Sequence, residues 1–331
     1  MTPFAILVKS YAPDRDYVAR LLETFARHNA DSVPLFLVVP EADVPAFEPL
    51  VREHVTLMRE EEFSAHLTDG PVAGLSAGYI NQEIVKLCFW ESGLADNYLC
   101  LDSDAEFVRD FHVSDFMADA TTPYTFLSED AELRVEPNYF AEHWQVRERR
   151  LRQIQAEVGL ESERLLTVHG HAVFSSVVLR AFVERFLAPR GWDYKDALAV
   201  SPYEPTWYSM WLQKDQTIPI VMREPVIKTF HNPTQYLDYI LRGVGADDVA
   251  RGYVGIVLNS NYSRGDGLLS LDSEASTALA RYVTGPELAR AIGFRAYDQV
   301  IVRREPWRRL RVAAGRWAAG VPALRRFVDL G

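Results

Sequence analysis

The chain has 331 residues, of which 48% are hydrophobic and 24% are charged. This composition excludes a disordered, collagen-like or coiled-coil protein, and the length predicts one large α/β domain or two smaller domains. The net charge of −11 argues against a sequence-wide nucleic-acid interface. No apolar run approaches the roughly 18 residues of a transmembrane helix. Two cysteines are too few for a disulfide framework, which favours a reducing cytoplasm.

Strand-like and helix-like segments alternate over the first 110 residues. Short, continuous apolar runs predict buried strands, and apolar residues at helical spacing predict the helices between them. In chain order, strands are predicted at 4–8, 35–39 and 98–101, and helices at 14–29, 41–54 and 77–93. This alternation predicts right-handed βαβ units and therefore an α/β fold with a mainly parallel sheet flanked by helices.

The second half of the chain has a more mixed pattern. Helices are predicted at 141–158 and 176–187, short strands at 124–127, 172–174, 219–221 and 226–230, and a loop at 259–267. No internal repeat or convincing linker interrupts the chain. We therefore predict one α/β domain over residues 1–300, followed by a separate extension.

The extension, residues 301–331, is basic and amphipathic. It contains eight arginines against Glu305 and Asp329, and apolar residues recur at helical spacing from Trp307 to Leu324. A basic amphipathic helix with tryptophan on its apolar face is typical of an interfacial membrane anchor. Residues 303–326 are therefore predicted to contact an anionic membrane. The alternatives are that this face packs on the protein's own body or pairs two subunits in a homodimer.

The sharpest local feature is a carboxylate pair that follows the third predicted strand, in Tyr98-Leu-Cys-Leu-Asp102-Ser-Asp104. Carboxylates at positions i and i+2 of extended backbone point the same way and repel each other unless a cation lies beside them. The carboxyl ends of parallel strands also form the crevice where open α/β sheets bind ligands. We therefore predict that Asp102 and Asp104 hold Mn²⁺ or Mg²⁺ together with substrate phosphates. The alternative is a solvated turn.

This D-x-D motif, third in a βα series, resembles that of the GT-A glycosyltransferases, which hold a metal on a nucleotide-sugar diphosphate. The helix INQEIVKLCFW ahead of YLCLDSD is similar to the Q-x-x-x-K-L pattern of a group of bacterial polysaccharide glycosyltransferases. The resemblance covers most of residues 1–230. It implies a GT-A, Rossmann-like fold with a nucleotide-binding half (1–110) and an acceptor half (111–300).

The activity implied by the resemblance is metal-dependent transfer of a sugar from a nucleoside diphosphate. A UDP-sugar is the expected donor, and a saccharide or a lipid-linked saccharide is the expected acceptor, in bacterial surface polysaccharide synthesis. Asp104 would bind the metal directly, and Asp102 would contact the ribose or the metal. His231 is expected as a further metal ligand, because several GT-A families bring a late histidine to the cation. The other residues expected at the donor are Lys9, Ser10, Tyr11, Gln82, Lys86, Ser103 and Arg264.

Glu204 is the candidate catalytic carboxylate on the acceptor side. It lies in Ser201-Pro-Tyr203-Glu204, which matches an S-x-Y-E motif of the resembled group, and an inverting transferase needs such a general base. Trp207 and Tyr208 are predicted to stack on an acceptor sugar; the alternative is an aromatic-rich core helix with Glu204 as its capping acid. His171 is expected to line the acceptor pocket rather than to bind zinc, because no thiolate lies nearby at the usual spacing.

Two other classes of function stay open from the residues alone. A nucleotidyltransferase shares a strand-borne carboxylate pair, but it usually has a glycine-rich basic loop after the first strand, which KSYAPDRD lacks. A non-catalytic carbohydrate-binding protein would explain the aromatic residues but not the position of the carboxylate pair. The sequence therefore favours a cytoplasmic glycosyltransferase, held at the inner face of the plasma membrane if the extension binds lipid.

Overall fold

A computed structural model describes residues 2–129, 137–168, 170–230 and 246–258, without the side chains of 137–143, 246–247 and 258. The chain divides into two compact units, Met1–Thr229 with Gly252–Val257, and Phe230–Arg251 with Leu258–Gly331. Most of the second unit lies outside the described residues, and so do the predicted loop at 259–267, the boundary at residue 300 and the basic extension. These three stay predictions.

Strands and helices alternate along the described residues. The strands are β1 (Ala5–Lys9), β2 (Leu35–Val39), β3 (Val55–Arg59), β4 (Asn97–Asp102), β5 (Ala105–Phe107), β6 (Tyr124–Thr125), β7 (Val173–Ser175), β8 (Val221–Met222), β9 (Ile227–Phe230) and β10 (Gly255–Leu258). The helices are α1 (Arg15–His28), α2 (Val44–Phe47), α3 (Ala77–Cys88), α4 (Val113–Phe116), α5 (Pro137–Val158), α6 (Ser176–Phe182), α7 (Tyr194–Val200), α8 (Glu204–Asp215) and α9 (Ala246–Gly252).

The main sheet has five strands in the order β3-β2-β1-β4-β7. Strands β1 to β4 are parallel, and β7 runs antiparallel to β4. Two smaller sheets have the orders β5-β10-β9 and β6-β8. The predicted fold class, a mixed and mainly parallel sheet flanked by helices, is confirmed.

Helices cover both faces of the main sheet, because successive side chains of a strand point to opposite faces. Ala5 and Leu7 of β1 pack with α3, α6 and α8 on one face. Ile6 and Val8 pack with α1 on the other face. The central strands are therefore buried on both sides, which explains why they appear in the sequence as continuous apolar runs.

One predicted element is wrong. The helix predicted at 41–54 is reduced to α2, flanked by short 3-10 turns at Glu41–Asp43 and Glu48–Leu50. Pro49 explains the interruption, because proline lacks an amide hydrogen and its ring clashes inside a helix. Strand β3, which follows, was not predicted, because at the sheet edge its side chains alternate in burial instead of forming an apolar run.

The helix predicted at 141–158 is confirmed as α5, and the two cysteines form no disulfide, as expected. The apolar seam of α5 is buried at Leu151, Ile154 and Val158. Cys88 and Cys100 are both buried free thiols. Among the described helices, none is both long enough and apolar enough to cross a membrane.

Candidate functional site

The carboxyl ends of β1 and β4 lie side by side, because Lys9 pairs with Asp102 in the parallel register. From β1 the chain continues to β2 and β3 on one side, whereas β4 adds to the other side. Such a reversal of strand order opens a crevice at the carboxyl ends of the strands, where open α/β sheets bind ligands. The structure thus brings Lys9, Ser10 and Tyr11, predicted for the nucleotide, and Asp102 and Asp104, predicted for the metal, to the ends of two neighbouring strands.

The loop after β1, next to this crevice, begins with Ser10 and Tyr11. The Ser10 hydroxyl is buried and has no hydrogen-bond partner among the described residues, and the Tyr11 side chain is exposed. Lys9 differs, because its Nζ lies 2.6 Å from Glu60 Oε2 and donates a hydrogen bond to the Ser10 carbonyl at 2.9 Å. The Lys9 charge is therefore already compensated inside the protein.

The turn after β4 is fixed by a buried side-chain contact. The Ser103 hydroxyl donates a hydrogen bond to Asp14 Oδ2 at 3.1 Å, and both residues are buried. Asp14 precedes α1, so this bond joins the carboxylate turn to the start of the first helix. Ser103, predicted at the donor, thus also orients the turn that carries Asp102 and Asp104.

Lys86 is the centre of a buried cluster of carboxyl groups. Its Nζ lies 3.3 Å from Asp102 Oδ1, 3.0 Å from Glu204 Oε1 and 3.4 Å from Glu83 Oε2. Glu83 and Lys86 share a face of α3, since residues three apart are neighbours on a helix. Lys86 therefore reaches the site as predicted, but its ammonium contacts carboxylates rather than being presented to a phosphate.

The electrostatics of this cluster decide which groups carry charge. Burial lowers the pKa of Lys86, but the carboxylates of Asp102, Glu204 and Glu83 outweigh burial and bring this pKa well above its usual range. Burial raises the pKa of Glu83, and the nearby Glu204 raises it further. Burial works against ionisation of Asp102 too, but the charge of Lys86 and its hydrogen bond leave the pKa of Asp102 below its usual value. The cluster thus favours the charged form of Lys86, the ionised form of Asp102 and the protonated form of Glu83.

His171 lies beside this cluster with one ring nitrogen unused. Its Nδ1 is 3.2 Å from the Cys100 carbonyl oxygen; because a carbonyl only accepts, Nδ1 donates. In the neutral ring, Nε2 then carries a lone pair, and this buried atom has no hydrogen-bond partner among the described residues. The preceding Gly170 has φ +89°, and a Cβ there would lie 3.0 Å from Thr229 Oγ1. His171 is therefore held between the ends of β4 and β9.

The carboxylate pair suits a hard divalent cation. The Asp102 side chain is 42% exposed and turns Oδ1 to Lys86, whereas Asp104 is buried. Within the described part of the chain, no three His, Cys, Asp or Glu side chains are grouped to hold a metal. Mg²⁺ sites often use only one or two carboxylates, with waters and substrate phosphates as the other ligands, so the two aspartates fit such a site. His231 and Arg264 lie outside the described residues.

The predicted stacking of Trp207 and Tyr208 on a sugar is wrong for this conformation. Trp207 is fully buried and donates from Nε1 to the Ser201 carbonyl at 2.9 Å. Tyr208 is 2% exposed, stacks on Phe174 and accepts a hydrogen bond from the Ser175 amide. Neither ring has a face open to a ligand. The alternative interpretation holds instead, because α8 is an aromatic core helix with Glu204 in its first turn.

Sequence reasoning missed two residues near the site. Glu83 is one, although its position three residues before Lys86 was visible in INQEIVK. Tyr79 is the other, and it is 39% exposed. It lies one turn before Glu83 and therefore on the same face of α3. The predicted donor residue Gln82 is half-buried on α3.

Comparisons with known proteins add the following similarities. A model of a protein family of unknown function matches residues 3–237. No curated protein sequence matches the chain. Mouse xyloside xylosyltransferase 1 is similar in structure at 12% identity and TM-score 0.42, over 78% of this chain and 98% of that one. The galactosyltransferase LgtC with donor and acceptor sugar analogues is similar at 15% identity and TM-score 0.45, over 85% and 96%. The bifunctional glycosyltransferase WbbM is similar at 11% identity and TM-score 0.43, over 80% and 46%.

Proposed function

The chain belongs to that family of unknown function, DUF6492, and we propose that it is a metal-dependent glycosyltransferase that uses a nucleoside-diphosphate sugar. The observation that carries the proposal is the carboxylate pair at the sheet edge. Asp102 ends β4 beside the end of β1, and Asp104 lies two residues further on, at the reversal of strand order where a nucleotide is expected. The motif resemblance described above assigns sugar transfer to this arrangement.

In this proposal each end of the crevice holds one part of the donor. Ser10 and Tyr11 contact the nucleotide, with the exposed Tyr11 ring stacking on a uracil base. Asp102 and Asp104 hold Mn²⁺ or Mg²⁺, which, when bound, stabilises the negative charge of the departing diphosphate. Lys86 fixes the carboxylates of Asp102 and Glu204 through contacts of 3.3 and 3.0 Å. His231 and Arg264 complete the donor site in the proposal.

Glu204 is the proposed catalytic or acceptor-positioning carboxylate. Its side chain is 11% exposed, and it lies in the first turn of α8, where the helix dipole favours a negative charge. As a base, Glu204 takes the proton of the acceptor hydroxyl while that oxygen attacks the sugar carbon and the diphosphate leaves. His171 offers its Nε2 lone pair to a hydroxyl in the same crevice.

The wider setting also belongs to the proposal. A saccharide or lipid-linked acceptor in bacterial surface polysaccharide synthesis fits the motif resemblance. We place the reaction in the cytoplasm, with the basic segment 303–326 on an anionic membrane or between two subunits.

Binding of UDP to the purified protein, measured by calorimetry with and without Mn²⁺, tests the proposed function. We expect UDP to bind in the presence of Mn²⁺, and the Asp104→Ala protein to lose at least tenfold in this metal-dependent affinity, roughly the effect of removing one directly coordinating or closely supporting group. Unchanged affinity in Asp104→Ala would refute the metal site.

The matched control is Asp110→Ala, which removes an exposed aspartate paired with His28 outside the crevice. This variant should bind UDP and Mn²⁺ like the unmodified protein. Circular dichroism of both variants separates loss of binding from loss of the fold.

A further inference from the structure

The part of the crevice next to Asp102 is built from hydrogen-bond acceptors. Asp102 and Glu204 are carboxylates, and neither is a donor when ionised. His171 adds a lone pair at Nε2, since Nδ1 already donates to the Cys100 carbonyl. Three acceptor groups, two of them buried, therefore lie together here, and a ligand group that reaches them must bring hydrogen-bond donors.

Carboxyl groups outnumber basic side chains around Lys86. Lys86 contacts three carboxyl groups, those of Glu83, Asp102 and Glu204. Its one positive charge can offset only one carboxylate. The Lys86 side chain is only 9% exposed. Its charge therefore interacts with the protein's own carboxyl groups rather than with an incoming anion.

From this arrangement we infer that the transferred sugar is uncharged and rich in hydroxyl groups, and that the site excludes sugars carrying a carboxylate. The inference rests on the proposed function, since the diphosphate held at Asp102 and Asp104 places the attached sugar next to Asp102, Glu204 and His171. Hydroxyl groups donate to all three acceptors. A uronic acid instead brings a carboxylate next to Glu204, which is only 11% exposed and lies outside the proposed metal ligands, and like charges repel strongly in such a partly buried position.

A matched pair of donors tests the inference, because UDP-glucose and UDP-glucuronate differ only in the group at C6. Affinities of UDP, UDP-glucose, UDP-galactose and UDP-glucuronate are measured by calorimetry with Mn²⁺. We expect the neutral sugar nucleotides to bind at least as tightly as UDP, and UDP-glucuronate to bind about tenfold or more weakly than UDP-glucose, as a like charge a few ångströms away predicts. Equal or tighter binding of UDP-glucuronate would overturn the inference.

Variants of Glu204 and His171 test whether these residues cause the preference for UDP-glucose over UDP-glucuronate. Glu204→Gln removes one negative charge at nearly constant shape and should shrink the preference for UDP-glucose over UDP-glucuronate several-fold. His171→Ala should weaken UDP-glucose binding but leave UDP binding unchanged. Glu23→Gln, which removes an exposed carboxylate paired with Arg27 on α1, should change neither ratio. An unchanged preference in Glu204→Gln would contradict the assignment to Glu204.

The outcomes distinguish this inference from the proposed function. If UDP binds with Mn²⁺ but UDP-glucuronate is not disfavoured, the inference fails and the proposed function stands. If no probe binds, UDP included, the proposed function fails and the inference fails with it. The comparison within the unmodified protein needs no variant, so a variant that does not fold leaves the test intact.

Discussion

The protonation state of a residue in this site cannot be deduced from its type alone. Glu83 is a buried acid whose pKa is raised first by burial and then by the charge of Glu204. An ionised carboxylate there would add a further negative charge to a cluster with one ammonium, and the buried charge would be costly. A protonated Glu83 instead completes the cluster without adding charge.

The protonation of Glu83 predicts a specific pH dependence of stability. Because the folded-state pKa lies above the usual 4.5, the stabilising contribution of Glu83 is complete below pH 4.5 and is lost as pH rises through the folded-state value. The Glu83→Gln protein carries an amide of the same shape without this titration. The free energy of unfolding of both proteins is measured by urea denaturation at several pH values between 5 and 8. As pH rises, the Glu83→Gln protein should become more stable relative to the unmodified protein.

Glu83→Ala is the comparison for this experiment. It should be less stable than Glu83→Gln at every pH, by about 1–3 kcal/mol, because it leaves buried polar partners unsatisfied and opens a cavity. A difference between the glutamine variant and the unmodified protein that stays constant with pH would contradict a protonated Glu83.

At the scale of elements, two short segments position the site. Helix α8 begins at Glu204, with Pro205 in its first turn, where the fixed φ of proline suits a helix start. The turn before β7 depends on Gly170, whose φ of +89° is one that side-chain-bearing residues rarely adopt. The first segment presents the Glu204 carboxylate to Lys86, and the second aims His171 toward Asp102.

Gly170→Ala should destabilise the protein by about 1–3 kcal/mol, because the residue must hold a strained backbone conformation and its Cβ would lie 3.0 Å from Thr229 Oγ1. Chemical denaturation measures the change. Gly78→Ala is the control, since a Cβ at this position of α3 meets nothing within 4 Å. It should stabilise the protein by about 0.4–1 kcal/mol. Equal effects of the two substitutions would contradict the strained turn.

For the whole molecule, the basic extension is predicted to decide where the protein is held in the cell. Residues 303–326 have the composition of an interfacial helix, and each arginine near an anionic surface adds about 1 kcal/mol to binding at low salt. If the proposed acceptor is lipid-linked, an anchor of this kind would bring the protein to it.

Co-sedimentation with phosphatidylserine-containing liposomes should therefore retain the full chain but not a chain of residues 1–300. The bound fraction should fall as salt is raised, because screening weakens the attraction of arginine to the anionic surface. Neutral phosphatidylcholine liposomes are the control and should retain little of either protein. Equal sedimentation of the two chains at low salt would rule out the anchor.

The sequence alone determined the central parallel strands of the main sheet and the position of the carboxylate pair. Strands β1, β2 and β4 were predictable because burial on both faces produces continuous apolar runs, and Asp102 and Asp104 were conspicuous because they follow such a run directly. Edge strand β3 was not predictable in this way, because alternating burial leaves only a weak local pattern.

Only the tertiary structure decided what surrounds the pair. Lys86 and Glu204 lie 118 positions apart in the chain, yet they meet at 3.0 Å. Whether an aromatic ring on α8 faces a sugar or the core depends on which side of the helix packs against the sheet. It is the folded chain that buries Trp207 and gathers Glu83, Lys86, Asp102 and Glu204 into one cluster, because packing and charge compensation depend on neighbours in space rather than in sequence.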